Sequence, residues 1–142
     1  MMAWGRRRWA ADERPVQPPR VAVVGPCASG KSTLVEALRS AGVDAYACAQ
    51  EHSGVPDLWR RGGADLVIAL EVDLVTIRSR RGEDWPADLL TTQRERLALA
   101  YATATLRIDT GTHPAGATVE TALAAIRRWR DAKGSDERLS SA

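Results

Sequence analysis

The sequence predicts one α/β domain built on a small parallel sheet. Three observations carry that prediction: short apolar runs alternate with stretches of helical period, and a glycine-bearing octapeptide, Gly25-Pro26-Cys27-Ala28-Ser29-Gly30-Lys31-Ser32, joins the first run to the first helix. In addition, 142 residues suffice for a single domain that buries about two thirds of its unfolded surface, and are too few for two.

Residues 1–19 carry Arg6-Arg7-Arg8 and end in Val16-Gln17-Pro18-Pro19 without sustained periodicity, so they read as a flexible basic, proline-rich arm. The folded domain is expected over residues 20–132. Val21-Ala22-Val23-Val24 is a continuous apolar run stopped by Gly25, as expected of a strand covered on both faces. After the octapeptide, Leu34, Val35, Leu38 and Ala41 follow helical spacing until Gly42, a residue able to take positive φ. Val43 to Ala49 reads as a second strand delivering Gln50-Glu51-His52-Ser53 at its carboxyl end, and a short helix is expected around Asp57 to Arg61.

Gly62-Gly63 breaks the chain before Leu66-Val67-Ile68-Ala69-Leu70, a strand that hands over to a helix from about Asp73 to Arg81. Pro86 suits the first turn of a long helix whose buried face holds Leu90, Leu97, Ala100, Tyr101 and Ala104. Thr105 to Ile108 gives a last strand ending at Asp109-Thr110-Gly111, and Val119, Leu123, Ile126 and Trp129 mark the stripe of a closing helix that His113 begins. Residues 133–142 read as a loose tail. Alternating strands and helices imply right-handed crossovers, with ligands bound beyond the carboxyl ends of the strands, where the octapeptide lies.

The pattern Gly-x-x-x-x-Gly-Lys-Ser binds phosphate because glycine lets the backbone curl until successive amides face phosphate oxygens, and the following helix adds its positive end. Gly25, Pro26, Cys27, Ala28, Ser29, Gly30, Lys31, Ser32 and Thr33 are therefore the expected nucleotide-binding residues. Only two of the twenty basic residues are lysines, and one of them, Lys31, occupies the position from which a compact ammonium reaches the β- and γ-phosphates. Ser32 is expected on Mg²⁺ and Thr33 near the α-phosphate. Cys27 is either a thiol acidified near a helix amino terminus or, the preferred reading, a small residue at a variable loop position.

A formal charge of +2 argues against nucleic acid or an acidic membrane as main partner, and no run of 18 apolar residues or secretory signal exists. Cys27 and Cys48 suit reduced thiols, hence the cytoplasm. His52 and His113, the only histidines, lack a neighbouring cysteine or carboxylate cluster at zinc-ligand spacing, which disfavours zinc. The chain contains no asparagine and so no Asn-Lys-x-Asp guanine signature, which makes ATP the expected nucleotide.

From Val21 to Trp129 the layout resembles that of the small P-loop kinases of the nucleoside monophosphate kinase and shikimate kinase type. The parts that carry the resemblance are the phosphate loop, Leu70-Glu71-Val72-Asp73, Arg78, Arg80, Arg81, Arg94, Arg96 and Asp109-Thr110. The resemblance implies a three-layer P-loop fold and transfer of the γ-phosphoryl of Mg·ATP to a small acceptor. Such chemistry needs cations that close over the nucleotide; Arg81 and Arg96, flanking the lid Gly82-Glu83-Asp84-Trp85-Pro86, are the preferred candidates, against solvated helix arginines. It also needs an acid. Glu51, beside the phosphate loop, is preferred as the residue that organises Mg²⁺ or activates the acceptor, with Glu71, which follows five apolar residues, as the competitor. Trp59 and Trp85 are candidates to stack on a base or cover an acceptor, Trp85 being preferred, and Trp129 reads as core.

That group has five strands, whereas only about fifteen residues, Gln50 to Ala64, separate the second and third strands here. The expectation is a reduced sheet of about four strands in spatial order 2-1-3-4, with an acceptor side that is small or completed by another chain. Arg60 and Arg61 in that interval could hold an anionic acceptor or simply end a solvated helix. The alternative function is a nucleotide-binding module or slow ATPase without a small acceptor. A weaker idea gives Trp4, Arg6-Arg7-Arg8 and Trp9 a nucleic-acid or partner contact.

Overall fold

The computed structural model describes residues 18–141, with side chains through residue 135. Residues 1–17, which hold nearly all of the basic arm and its Trp4 to Trp9 segment, lie outside the described residues. Four parallel strands form one sheet in the order β2-β1-β3-β4, as the sequence predicts. They are β1 (Arg20–Val24), β2 (Asp44–Ala47), β3 (Leu66–Glu71) and β4 (Leu106–Asp109). The two strands with continuous apolar runs are the central ones: Val21 to Val24 and Leu66 to Leu70 are buried throughout, while the edge strands β2 and β4 are shorter and half exposed. The register places Val21 beside Leu66 and Val24 beside Ala69.

Alternation along the strands sorts the core into two layers. Val21, Val23, Ile68, Leu70 and Ile108 pack against Leu34, Val35 and Leu38 of α1 (Lys31–Ser40) and against Ala122 and Ile126 of α5 (Ala115–Ser141). Ala22, Val24, Val67 and Ala69 face the other way, onto Trp59 of α2 (Leu58–Arg61) and onto Leu97 and Ala100 of α4 (Ala87–Thr103). A third cluster joins Val72, Ile77 of α3 (Leu74–Arg81) and Leu90 of α4, with Trp85 and the loop residue Ala28 packed against it. The segment read as a lid is thereby fastened to the phosphate loop.

Local chemistry explains the ends of several elements. Gly42, at φ +85°, follows α1 and turns the chain into β2. Asp73 is the N-cap of α3: its Oδ1 accepts from the Thr76 amide at 2.8 Å, and hydrogen bonding by the Thr76 side chain, with that amide second, holds the carboxyl below the usual aspartate range. Trp129 is packed against the α1–α5 core as expected, with the Lys133 ammonium 5.9 Å from its ring centre. The sequence reading ends the last helix before residue 133, whereas α5 runs to Ser141. Residues 133–141 contain no proline and a single glycine, and the rest are residues that a helix tolerates, so nothing local stops propagation. Among the described residues no helix is long and apolar enough to cross a membrane.

Candidate functional site

The loop between β1 and α1 is held from four sides. Gly25 lies against β3: a Cβ there would come within 2.5 Å of Ser29 Oγ and 3.0 Å of the Leu70 carbonyl oxygen. Thr110, just past β4, donates its hydroxyl to the Ser29 carbonyl at 2.8 Å. Arg80 of α3 donates to the carbonyls of Ala28 (2.6 Å) and Thr110 (2.9 Å). Gln93 of α4 accepts from the Cys27 amide at 3.0 Å and donates to Cys27 Sγ at 3.1 Å. Ala28 (φ +63°) and Gly30 (φ +95°) take left-handed backbone conformations, the alternation that curls a chain into an anion-binding nest. No side chain caps α1, so its first amides are left for a ligand. Gly25→Ala is expected to cost about 1–3 kcal/mol, because the backbone carbonyl of Leu70 cannot move aside as a flexible side chain would; urea denaturation of the two proteins measures it.

Beneath the loop's outer face lies a cavity of about 570 Å³. Lys31 enters it folded back, its Nζ donating to the carbonyls of Gly25 (2.8 Å) and Pro26 (3.1 Å) and pairing with the Glu51 carboxylate. Glu51 stands on a 3₁₀ turn, Gln50–His52, directly after β2. Its side chain is only 4% exposed, and Oε1 is buried without a protein partner. The turn is locked from behind. Gln50, fully buried, donates to the Val55 carbonyl at 2.6 Å and accepts from the Trp59 amide at 3.4 Å, while Arg96 of α4 donates to the Glu51 carbonyl at 3.2 Å. A buried carboxylate whose second oxygen has no partner is a costly arrangement that a bound cation or acceptor hydroxyl would relieve.

The chain has the fold of the small P-loop kinases. A crystal structure of a gluconokinase from Sinorhizobium meliloti 1021 superposes on it with a TM-score of 0.56, covering 83% of this chain and 96% of that one at 19% identity. At that identity the likeness concerns the fold. No protein-family model matches the chain, and no curated protein matches it by sequence.

Within this P-loop kinase fold, the residues read from the sequence fall into three groups. Cys27 to Thr33, Glu51 and Arg81 line the cavity together, as do His52, Arg80, Thr110 and His113. Arg96 does not line it; it steadies the Glu51 backbone from outside. Glu71 does not line the phosphate loop's cavity; its side chain pairs with Arg107 of β4 in a separate depression shared with Arg94 and Tyr101. That pairing raises the Arg107 pKa, and burial, with the Glu71 charge second, raises that of the Tyr101 hydroxyl. Trp59 is buried in the core beneath α4, so it cannot stack on a base as the sequence reading allowed. Trp85 packs its ring on Val72, Ile77 and Leu90 rather than standing free.

Two residues of the site escaped sequence reading for identifiable reasons. Gln93 falls on the same helical stripe as Leu90, Leu97 and Ala100, and a polar residue on an apolar stripe is a legible signal of a buried partner. Arg80 ends α3 beside Arg78 and Arg81, and periodicity does not say which of three helix-end arginines turns inward. Sequence spacing separates Cys27 from Glu51 and His52, yet the fold brings one ligand atom of each within 4.8 Å of the others.

Proposed function

We propose that this protein binds Mg·ATP and transfers the γ-phosphoryl group to a small hydroxylated acceptor. The observation that carries the reading is the Lys31–Glu51 pair: the phosphate-loop lysine is held beside a buried carboxylate with one oxygen unpartnered. The residues present fit the nucleotide and its metal, since the uncapped start of α1, the nest at Ala28–Gly30 and the Ser32 hydroxyl offer donors and a ligand where phosphates and Mg²⁺ require them. Mg²⁺, held by the Ser32 hydroxyl, would supply charge neutralisation at the phosphates.

In this reading Lys31 leaves the Gly25 and Pro26 carbonyls for the phosphates, Ser32 holds the metal, and Thr33 approaches the α-phosphate. The freed Glu51 carboxylate accepts the acceptor's hydroxyl proton or would help Ser32 hold the metal. Arg81 closes over the transferred group. The acceptor is taken to sit near Glu51 and His52 and the base near Thr118 and Val119, all of which line the cavity. ATP is preferred to GTP because no guanine signature exists in the sequence. Both cysteines are free thiols, which suits the cytoplasm. The gluconokinase likeness supports a kinase with a small acceptor.

A second reading is a nucleotide-binding module or slow ATPase, favoured by the narrow acceptor side, where only the 3₁₀ turn and the four-residue α2 separate β2 from β3. Incubation with γ-labelled ATP and a panel of nucleosides, nucleotides, sugar acids and other small hydroxylated compounds separates the two. A labelled product is the expected result. Tight ATP binding with no labelled product from any acceptor would replace the kinase by the module.

A further inference from the structure

Cys27, Glu51 and His52 supply three different donor atoms at one spot. Cys27 Sγ is 3.7 Å from His52 Nε2, which is 3.9 Å from Glu51 Oε2, and all three ligand atoms fall within 4.8 Å of one another. Around a tetrahedral Zn²⁺, with about 2.3 Å to sulfur and about 2.0–2.1 Å to nitrogen or oxygen, donor atoms stand roughly 3.4–3.6 Å apart. The side chains therefore need to close by less than about 1.5 Å, and His52, 59% exposed, is free to swing. A separate observation points to a ligand here: Glu51 Oε1 is buried, in a side chain 4% exposed, and has no protein partner.

We infer that Cys27, Glu51 and His52 form a binding site for a thiolate-seeking divalent cation of the Zn²⁺ class. Thiolate and imidazole select such an ion over Mg²⁺, which prefers an all-oxygen shell and keeps its waters. Thiolate and carboxylate together neutralise its two charges once Lys31, which pairs with Glu51, is left on the Gly25 and Pro26 carbonyls, and the Cys27 proton is released on binding. The protein also orients the ligand. Gln93 accepts the Cys27 amide through its oxygen, so its NH₂ group faces Sγ and stabilises the thiolate, the outer-shell role that metal-binding side chains require. Three protein ligands leave a fourth position open. Cys48, the other thiol, is buried in the core, and burial keeps it protonated, so it does not compete. If Glu51 serves phosphoryl transfer as proposed above, an ion held here withdraws that carboxylate, and Zn²⁺ and turnover exclude one another; the site itself does not depend on that reading.

The test uses the full chain stripped of metal. Titration with Co²⁺ is expected to saturate at one equivalent with a near-ultraviolet thiolate-to-cobalt charge-transfer band, which Zn²⁺ then abolishes by displacement. Cys27→Ser should lose the band. His52→Ala, at an exposed position that does not threaten folding, should weaken Zn²⁺ binding about tenfold or more in competition with a chromophoric chelator, while His113→Ala leaves it unchanged. Absence of the band in the unmodified chain, its persistence in Cys27→Ser, or unchanged Zn²⁺ affinity in His52→Ala overturns the assignment. Mg·ATP binding to the metal-free chain, measured separately, reports on the kinase reading alone.

Discussion

Replacing Lys31 with alanine is expected to remove most of the nucleotide affinity and also to lower the stability of the chain without nucleotide. The first effect follows from charge: a hydrogen bond to an ionised partner contributes about 1.5–3 kcal/mol, so losing the ammonium from the phosphates weakens binding roughly 10- to 100-fold or more. The second follows from the pair. Glu51 is 4% and Lys31 14% exposed, so Lys31→Ala strands a buried carboxylate whose other oxygen already lacks a partner. Breaking such a pair from one side costs on the order of 3–5 kcal/mol. The double variant Lys31→Ala with Glu51→Gln removes the stranded charge and should recover much of that stability without recovering affinity. Calorimetric ATP titration and urea denaturation of the three proteins measure both effects. Unchanged ATP affinity in Lys31→Ala would overturn the phosphate-loop assignment, and unchanged stability would show that the pair does not hold in solution.

Glu51→Gln alone is the second large effect. The amide keeps the shape of the side chain, and Lys31 retains the Gly25 and Pro26 carbonyls, so the fold and ATP binding should survive. Turnover should fall about 10²- to 10⁴-fold, because an amide can neither accept the acceptor's proton nor supply the charge that helps hold the metal. The comparison is Glu71→Gln. Glu71 is 39% exposed, and its pairing with Arg107 lies in a separate depression, so its loss should leave turnover nearly unchanged. If instead Glu71→Gln abolished turnover and Glu51→Gln did not, the two carboxylates would have to exchange roles.

Arg96 illustrates a residue whose part in the site is indirect. Its guanidinium donates to the Glu51 carbonyl, and its own carbonyl accepts from Gln50 at 3.3 Å, so α4 and the 3₁₀ turn hold each other in register. The same helix supplies Gln93 to the phosphate loop at Cys27, next to that turn. One helix therefore positions both the phosphate loop and the acid that faces it, which explains why a polar residue, Gln93, is kept fully buried on its apolar face.

The sequence by itself determined the alternating strands and helices, the helix ends at Gly42 and Arg81 and the phosphate loop, because these depend on short-range physics, while the four-strand order 2-1-3-4 followed from the family resemblance. Apolar runs, helical period and positive-φ glycines act within a few residues of one another. The tertiary structure alone decided that Arg80 rather than a neighbouring arginine braces the loop, that Trp59 is core, that Glu71 pairs with Arg107, and that Cys27 meets Glu51, His52 and Gln93. Those contacts join residues far apart in the chain, 66 positions in the case of Cys27 and Gln93, so they depend on how α3 and α4 seat against the sheet. A shift of one residue in that seating would break them while leaving every local pattern in the sequence intact.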